Sequence, residues 1–455
     1  MRMLLDDLKK LVGDEHASSA ESIRRLHSED QSNHPAVMPD AVVWPADTAQ
    51  VSAVARYANA HRIPLVGWGA GTSLEGNSIP VKGGIVVDFG RMNQIITTHV
   101  EDFQVTVQPG IFYKDMNKIL AQEGLFFAPD PGANASIGGM IANNAAGIRT
   151  VRYGATRDNV LALEVVLANG DIIKTGSRSV KQSAGYDLTH LFIGSEGTLG
   201  LITQATLKLA PLPEFYSAVT TSFNSVADAA NAVYGIIGSG LNPSALELMD
   251  AATVRDLQED LSFEMADAPA LFMEFAGASE ASLQEELRLA QQVCEECACL
   301  TFVAGLGHDM RAQLWEARHR LLEIMLRQHP GEDWVTTDVA VPISAYPALV
   351  NGTTDLLDEL GLVAGLVGHA GDGNLHTVVF YDRNSAESSN RVKQYNDRLV
   401  DLALSYEGTC TGEHGVGLGK RKYMLREHGE NALALMRSFK GWLDPNDILN
   451  PGKVL

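Results

Sequence analysis

His369 and His376 bracket the run Ala370-Gly371-Asp372-Gly373-Asn374-Leu375. Apolar stretches flank it at residues 362–367 and 377–380, while the middle is turn chemistry, with two glycines around an aspartate. The pattern predicts a β-hairpin whose ends each carry one imidazole, close enough to share one ion. Further on, Gly412-Glu413-His414-Gly415 offers a carboxylate from a separate segment. Two histidines and one carboxylate (His369, His376, Glu413) suit zinc ahead of manganese or iron, with positions left open for a substrate. His414, beside the third ligand, is placed to move protons near neutral pH. The plainer alternative is a glycine-rich turn with two surface histidines. Gly412, Gly415 and Gly417 around Glu413-His414 favour the metal site.

The elements that position these groups belong to a chain of 455 residues, long enough for two or three domains, and its 45% hydrophobic content allows sizeable cores. A formal net charge of -21 argues against nucleic acid as a partner, since phosphate binding needs a basic face. Of four cysteines, Cys294, Cys297 and Cys299 crowd together but lack the fourth spaced ligand of an iron–sulfur or zinc motif. They read as ordinary thiols in a reducing compartment. The first twelve residues are a short amphipathic run without the apolar core of a secretory signal, and no stretch is long and apolar enough to span a membrane. The expectation is a cytoplasmic protein, with peripheral membrane association and a homodimer left open.

Residues 1–34 read as a polar, partly helical N-terminal arm. A strand over 42–45 leads to a helix capped by Asp47, with Gln50 three residues on, ending near Ala60. Strands follow at 63–66, 84–89 and 103–107, then a helix over 114–123 closed by Gly124. Residues 165–168, Asn169-Gly170 and 171–174 predict a hairpin with a type I′ turn. A strand over 199–209 is stopped by Pro211 and Pro213, which mark a domain boundary. Beyond Ser217, helical stretches at 226–238 and 282–297 alternate with β runs such as 270–275. This predicts a second α+β domain, with helices on one face of an antiparallel sheet.

Three glycine-rich stretches precede that boundary. Gly67-Trp68-Gly69-Ala70-Gly71-Thr72-Ser73-Leu74 follows a strand and crowds several backbone N–H groups together, a nest able to hold a pyrophosphate without lysine. It lacks the spacing and the later acid of the doubly wound dinucleotide fingerprint. Pro129-Asp130-Pro131-Gly132, running on through Ser136, Gly138 and Gly139 to Asn143 and Gly147, sets a rigid turn and leaves room for a flat ligand. Gly194-Ser195-Glu196-Gly197 is the third. Together they imply one extended cofactor with phosphates and a flat ring.

These stretches, with Arg152–Val160 and Gly185–Leu188, resemble the FAD-binding domain of the vanillyl-alcohol oxidase / p-cresol methylhydroxylase (PCMH) class. With the histidine hairpin, Gly412–Gly417 and Asn450-Pro451-Gly452 they resemble the FAD-linked D-2-hydroxy-acid dehydrogenases: D-lactate dehydrogenase, the glycolate oxidase flavin subunit and D-2-hydroxyglutarate dehydrogenase. The resemblance implies an α+β fold: a PCMH-type FAD-binding domain of two α+β subdomains over 35–213, a substrate or cap domain over 214–405, and a segment over 406–455 returning to the flavin. It implies that Trp68, Gly69, Ala70, Gly71, Thr72, Ser73 and Leu74 hold the FAD pyrophosphate, and that Pro131, Gly132, Ser136, Gly138, Gly139, Asn143 and Gly147 line the cofactor. Glu196, Gly197 and Ile202 would lie near the adenosine portion or the adjoining strand, and Asn450 near the isoalloxazine. His369, His376 and Glu413 would bind the metal, His414 would be the base, and Arg318 would pair with the substrate carboxylate, two parallel hydrogen bonds from its fork. Threonine at position 72, where covalently flavinylated relatives carry histidine, implies non-covalent FAD.

The implied activity is oxidation of a D-2-hydroxy acid to the 2-oxo acid, D-lactate foremost, with electrons passed to a cytochrome, quinone or electron-transfer flavoprotein. Thr336 and Thr337 stand where the D-2-hydroxyglutarate branch tends to carry a lysine, which favours small monocarboxylates. Glycolate or D-2-hydroxyglutarate oxidation, a non-redox flavoenzyme of the same fold, a hydrolase using the metal alone, and a flavin-binding subunit without turnover are the alternatives.

Overall fold

The computed structural model describes residues 2–305 and 308–455. The chain divides into two compact units, the first built from 1–146, 154–212 and 413–455, the second from 147–153 and 213–412.

The first unit contains a two-stranded ribbon, Leu125–Phe126 with Ala210–Pro211, and two larger sheets. In the smaller, Ile85–Asp88 lies between Ala41–Val43 and Leu65–Trp68, parallel to both, and Ala17–Ser18 adds an antiparallel edge. Helix Thr48–His61 begins where Asp47 accepts the Gln50 N–H at 2.8 Å, and Gln50 returns the favour by accepting from Ala46 N–H at 2.8 Å. Its buried residues, Val51, Val54, Ala55 and Ala58, follow the helical period and pack with Val43, Leu65 and Val87. Residues 1–34, expected as a separate arm, belong to this unit. Leu8 and Val12 of helix Arg2–Val12 are buried in the same core, and Ala17–Ser18 is the sheet edge. Amphipathicity identifies such a helix but not the surface that receives it.

The second sheet is antiparallel, in the order Ile95–His99, Gln104–Val107, Leu201–Lys208, Val160–Val166, Ile172–Gly176. The predicted hairpin is present, but its turn is not type I′. Gly170 has φ 83° while Asn169 does not enter the left-handed region. Leu167 N–H donates to Asp171 and Gly170 N–H to Leu167, a longer loop that needs only one left-handed residue. Tertiary contact selects it: Ser52 donates to the Gly170 carbonyl at 2.5 Å, and a Cβ on Gly170 would lie 2.8 Å from the Ser52 carbonyl oxygen.

The second unit is an eight-stranded sheet. Its order is Cys299–Ala304, Phe215–Phe223, Ala270–Gly277, Ala245–Met249, Val363–His369, Asn374–Tyr381, Asp333–Thr336, with Val339–Ala340 also paired to Asn374–Tyr381. All these pairs are antiparallel. Every residue of Ala245–Met249 is buried. Because successive side chains point to opposite faces, a fully buried strand needs cover on both. Leu314, Trp315, Leu321 and Ile324 pack with Ala245 and Met249 on one face. Helix Val226–Gly238 packs on the strand from the other, with Tyr346–Leu360 against that helix. The expected one-sided layer is therefore two-sided.

Candidate active site

The strand Leu65–Trp68 delivers the first glycine loop. Among the described residues, the backbone N–H groups of Gly69 to Leu74 donate to no protein acceptor, although these residues are half-buried. Unpaired donors in such a place fit an anionic ligand that accepts from them, as a pyrophosphate does. The second stretch is held against the first. Ser136 caps helix Ile137–Asn143, accepting from Gly139 N–H at 3.3 Å, and a Cβ on Gly69 would lie 2.1 Å from the Ser136 hydroxyl oxygen. A Cβ on Gly138 would lie 2.6 Å from Pro109 Cβ. Pro131 accepts from the Tyr113 hydroxyl at 2.9 Å, and Gly132, next to it, is exposed. The Trp68 ring is buried 5.0 Å from that of His27 and also packs under the loop, where a Cβ on Gly71 would lie 2.6 Å from its Cζ2. Ile202 lies on Leu201–Lys208 with its side chain in the apolar core. Gly147 begins the 147–153 segment of the second unit.

Around His414 the predicted residues converge, with one that sequence reasoning missed. Asn77 and Asn143 point their side-chain amides at the His414 carbonyl, at 3.4 and 3.5 Å. Glu196, itself left-handed at φ 52° and followed by Gly197 at φ 69°, accepts from Val416 N–H at 2.6 Å and Gly417 N–H at 3.0 Å. Burial pushes the Glu196 carboxyl above the ordinary range against these hydrogen bonds. Asn450 donates to the carbonyls of Asn77 at 2.9 Å and Glu196 at 2.7 Å. Lys453 donates to the Ile79 carbonyl at 2.5 Å and to Asn450 at 3.3 Å. The expected adenosine-side residue Glu196 thus grips the segment carrying the proposed base. Asn77 is the missed member; its signal was a polar pair, Asn77-Ser78, directly after the glycine loop.

In the second unit His369 ends one strand of the predicted hairpin and His376 lies in the next, opposite Val367. A short 3₁₀ turn, Ala370–Asp372, and left-handed Gly373 (φ 72°) make the connection. The two rings stand edge to face, centroids 5.4 Å apart, with potential ligand nitrogens within 4.8 Å. Each Nδ1 already meets an oxygen: His369 that of Glu247 at 2.7 Å, His376 the Thr337 carbonyl at 3.2 Å. Glu247 sits directly across the strands from His369 and is fully buried. Its other oxygen takes Arg318 at 2.6 Å from Nε and 2.5 Å from the terminal nitrogen. Burial alone pushes the Glu247 carboxyl up, but Arg318 and then His369 outweigh it and hold it below its ordinary value.

Arg318 is therefore not an exposed helix arginine. Its helix, His308–His319, also presents Arg311 and Trp315 to the buried Glu274 at 2.7 and 2.8 Å. Arg311, Trp315 and Arg318 share one helical face, and two carboxylates of adjacent strands fasten that face to the sheet. Asp338, fully buried, accepts from Asn374 and Thr411, both at 2.8 Å. A Cβ on Gly412 would lie 2.3 Å from the Asn374 amide nitrogen. Glu413 follows one peptide bond later, as the first residue of the last segment of the first unit.

The fold places the chain in a class. It superposes on p-cresol methylhydroxylase with TM-score 0.78 at 19% identity, covering 100% of this chain and 96% of that one. It superposes on an alkyldihydroxyacetonephosphate synthase with TM-score 0.78 at 18% identity, over 99% and 84%. The architecture is that of the PCMH-type flavoproteins. Residues 39–176 match the FAD binding domain, and residues 212–454 match the C-terminal domain of FAD linked oxidases. The chain belongs to the FAD-linked oxidase family and is an FAD-linked oxidoreductase. It is 40% identical to the mitochondrial D-lactate dehydrogenase [cytochrome] of Arabidopsis thaliana, over 99% of this chain and 80% of the relative. It is 39% identical to a probable mitochondrial D-lactate dehydrogenase of Danio rerio, over 99% and 91%. Identity to the glycolate oxidase subunit GlcD of Bacillus subtilis is 35%, over 99% and 96%.

Proposed function

We propose that the protein oxidises a D-2-hydroxy acid, D-lactate ahead of glycolate, to the 2-oxo acid and passes the electrons to an acceptor other than oxygen. The observation that carries this reading is the histidine pair with both Nδ1 atoms already engaged. Such fixing of one ring nitrogen makes Nε2 the ligating atom and is how metal-binding imidazoles are held. His369, His376 and Glu413 would hold the ion, zinc ahead of manganese or iron. FAD, when bound, supplies the two-electron acceptor, and the metal supplies a Lewis acid that lowers the substrate hydroxyl pKa. His414 takes the hydroxyl proton. Arg318 pairs with the substrate carboxylate through the part of its fork that Glu247 does not occupy.

The monocarboxylate preference is supported by what surrounds Thr337. Its hydroxyl meets that of Thr377 at 2.8 Å in the buried sheet. Arg320, which could supply a second cation in the Arg318 region, is exposed and bonded to Glu323 at 2.8 Å. A distal carboxylate left unpaired in a buried pocket costs several kcal/mol. The test is kcat/KM for D-lactate, glycolate, D-2-hydroxyglutarate and L-lactate with a dye acceptor. Highest efficiency with D-lactate is expected. A preference for D-2-hydroxyglutarate overturns the pocket argument, and one for L-lactate overturns the stereochemical assignment. Failure of all four substrates to bleach the flavin would favour the non-redox alternative.

A further inference from the structure

We propose that Glu247 is a positioning residue that sets two functional groups at once: it fixes His369 as a metal ligand and holds the guanidinium of Arg318 for the substrate. The inference rests on the metal site proposed above and extends it to a residue that touches neither metal nor substrate. Three observations carry it. The strand register places Glu247 directly opposite His369, so their 2.7 Å contact is built into the sheet. Its two oxygens are divided, one to His369 and one to Arg318. And the side chain is 0% exposed, with Arg318 at 11%, so no water replaces either partner cheaply.

A carboxylate at this position is otherwise hard to rationalise. It stands in Ala245-Leu246-Glu247-Leu248-Met249, where an apolar residue would fill the sheet without desolvating a charge. The neighbouring pair Glu274–Arg311 already fastens the same helix to the same sheet, so fastening alone does not require a second one. What distinguishes Glu247 is the histidine on its second oxygen. An acceptor at Nδ1 fixes the tautomer and the ring plane, and loss of such a partner typically weakens metal retention 10–100-fold.

The test uses the full-length holoprotein loaded with zinc. Arg318→Met removes one partner; the double variant Glu247→Met/Arg318→Met removes the whole ion pair and leaves no uncompensated charge, which protects folding. Flavin absorbance and thermal melting verify that each variant is folded and loaded with FAD. Zinc retention is then measured by competition with a chelator. The double variant is expected to lose zinc about 10–100-fold more readily than the parent, and Arg318→Met to retain it. Glu247→Gln, whose amide nitrogen turns a donor toward its partners, is expected to raise KM for D-lactate at least about fivefold with FAD content unchanged. A folded double variant that holds zinc like the parent, or a folded Glu247→Gln with parental KM, overturns the inference. His369→Ala serves as the control: if it keeps its zinc, the metal site itself is wrong, and that result is separate from any result at Glu247.

Discussion

Lys453 is 3% exposed, and its ammonium is surrounded by more burial than charge. Burial pulls its pKa from the ordinary 10.5 down to about 8; Glu196 and Asp30 resist the fall, and Arg421 adds to it. At about 1.4 kcal/mol for each pH unit, the difference corresponds to roughly 3 kcal/mol. Between pH 8 and 10.5 the folded lysine has shed its proton while the unfolded one keeps it. The unfolded state therefore binds more protons, and stability rises with pH across that window. Below pH 8 the penalty is present in full; above 10.5 it is gone. Lys453→Met removes the penalty but also the hydrogen bonds to Ile79 and Asn450, each worth about 1 kcal/mol. Near pH 7 the two effects roughly offset, and the variant should unfold within about 2 kcal/mol of the parent. By pH 10.5 the parent should have gained roughly 3 kcal/mol relative to the variant. Urea unfolding of both proteins in saturating FAD, at steps from pH 7 to 10.5, measures the difference while shared titrations cancel. A difference that stays flat with pH would refute the buried neutral lysine.

His369→Ala, His376→Ala and Glu413→Ala should each lose metal and most turnover yet keep FAD, as metal analysis beside the flavin spectrum will show; unchanged metal in all three removes the assignment. Heat or acid should release FAD into the supernatant, because Thr72 cannot form the histidyl link; flavin retained on precipitated chain contradicts this. Gly69→Ala brings a methyl within 2.1 Å of the Ser136 hydroxyl oxygen. Rotating Ser136 away loses its cap on Gly139, about 1 kcal/mol, so weaker FAD binding in a folded protein is expected from fluorescence titration, and parental affinity would show that the loop does not bind the cofactor.

Patterns that depend on neighbours in the chain were readable. The Asp47–Gln50 start of a helix, the period of Val51, Val54, Ala55 and Ala58, and the hairpin that brings His369 to His376 all follow from spacing alone. What stayed hidden depends on register between distant strands. Glu247 looks like an intrusion in an apolar run until the sheet places it opposite His369. Arg318 could be assigned a partner only by likeness to a family, since nothing in Leu314–Arg320 says which carboxylate lies beneath the helix. The Asn169-Gly170 turn misled for a related reason: local preference chose type I′, but the contact with Ser52 chose the longer loop. The N-terminal helix was visible, though its place in the core of the first unit was not.

The first unit is not continuous in sequence, and this bears on how the chain is made. Synthesis runs from the N-terminus, and domains generally fold as they emerge. Leu65 N–H, however, donates to Ile448, and Asn450 N–H to Leu65. Ile448 and Leu449 are buried in the core with helix Thr48–His61. The strands of the parallel sheet thus precede the second unit in synthesis, while the residues that meet Leu65 are made only after that unit ends at Gly412. A partial chain ending at Gly412 therefore has every described strand of both units but lacks the Ile448 and Asn450 partners of Leu65.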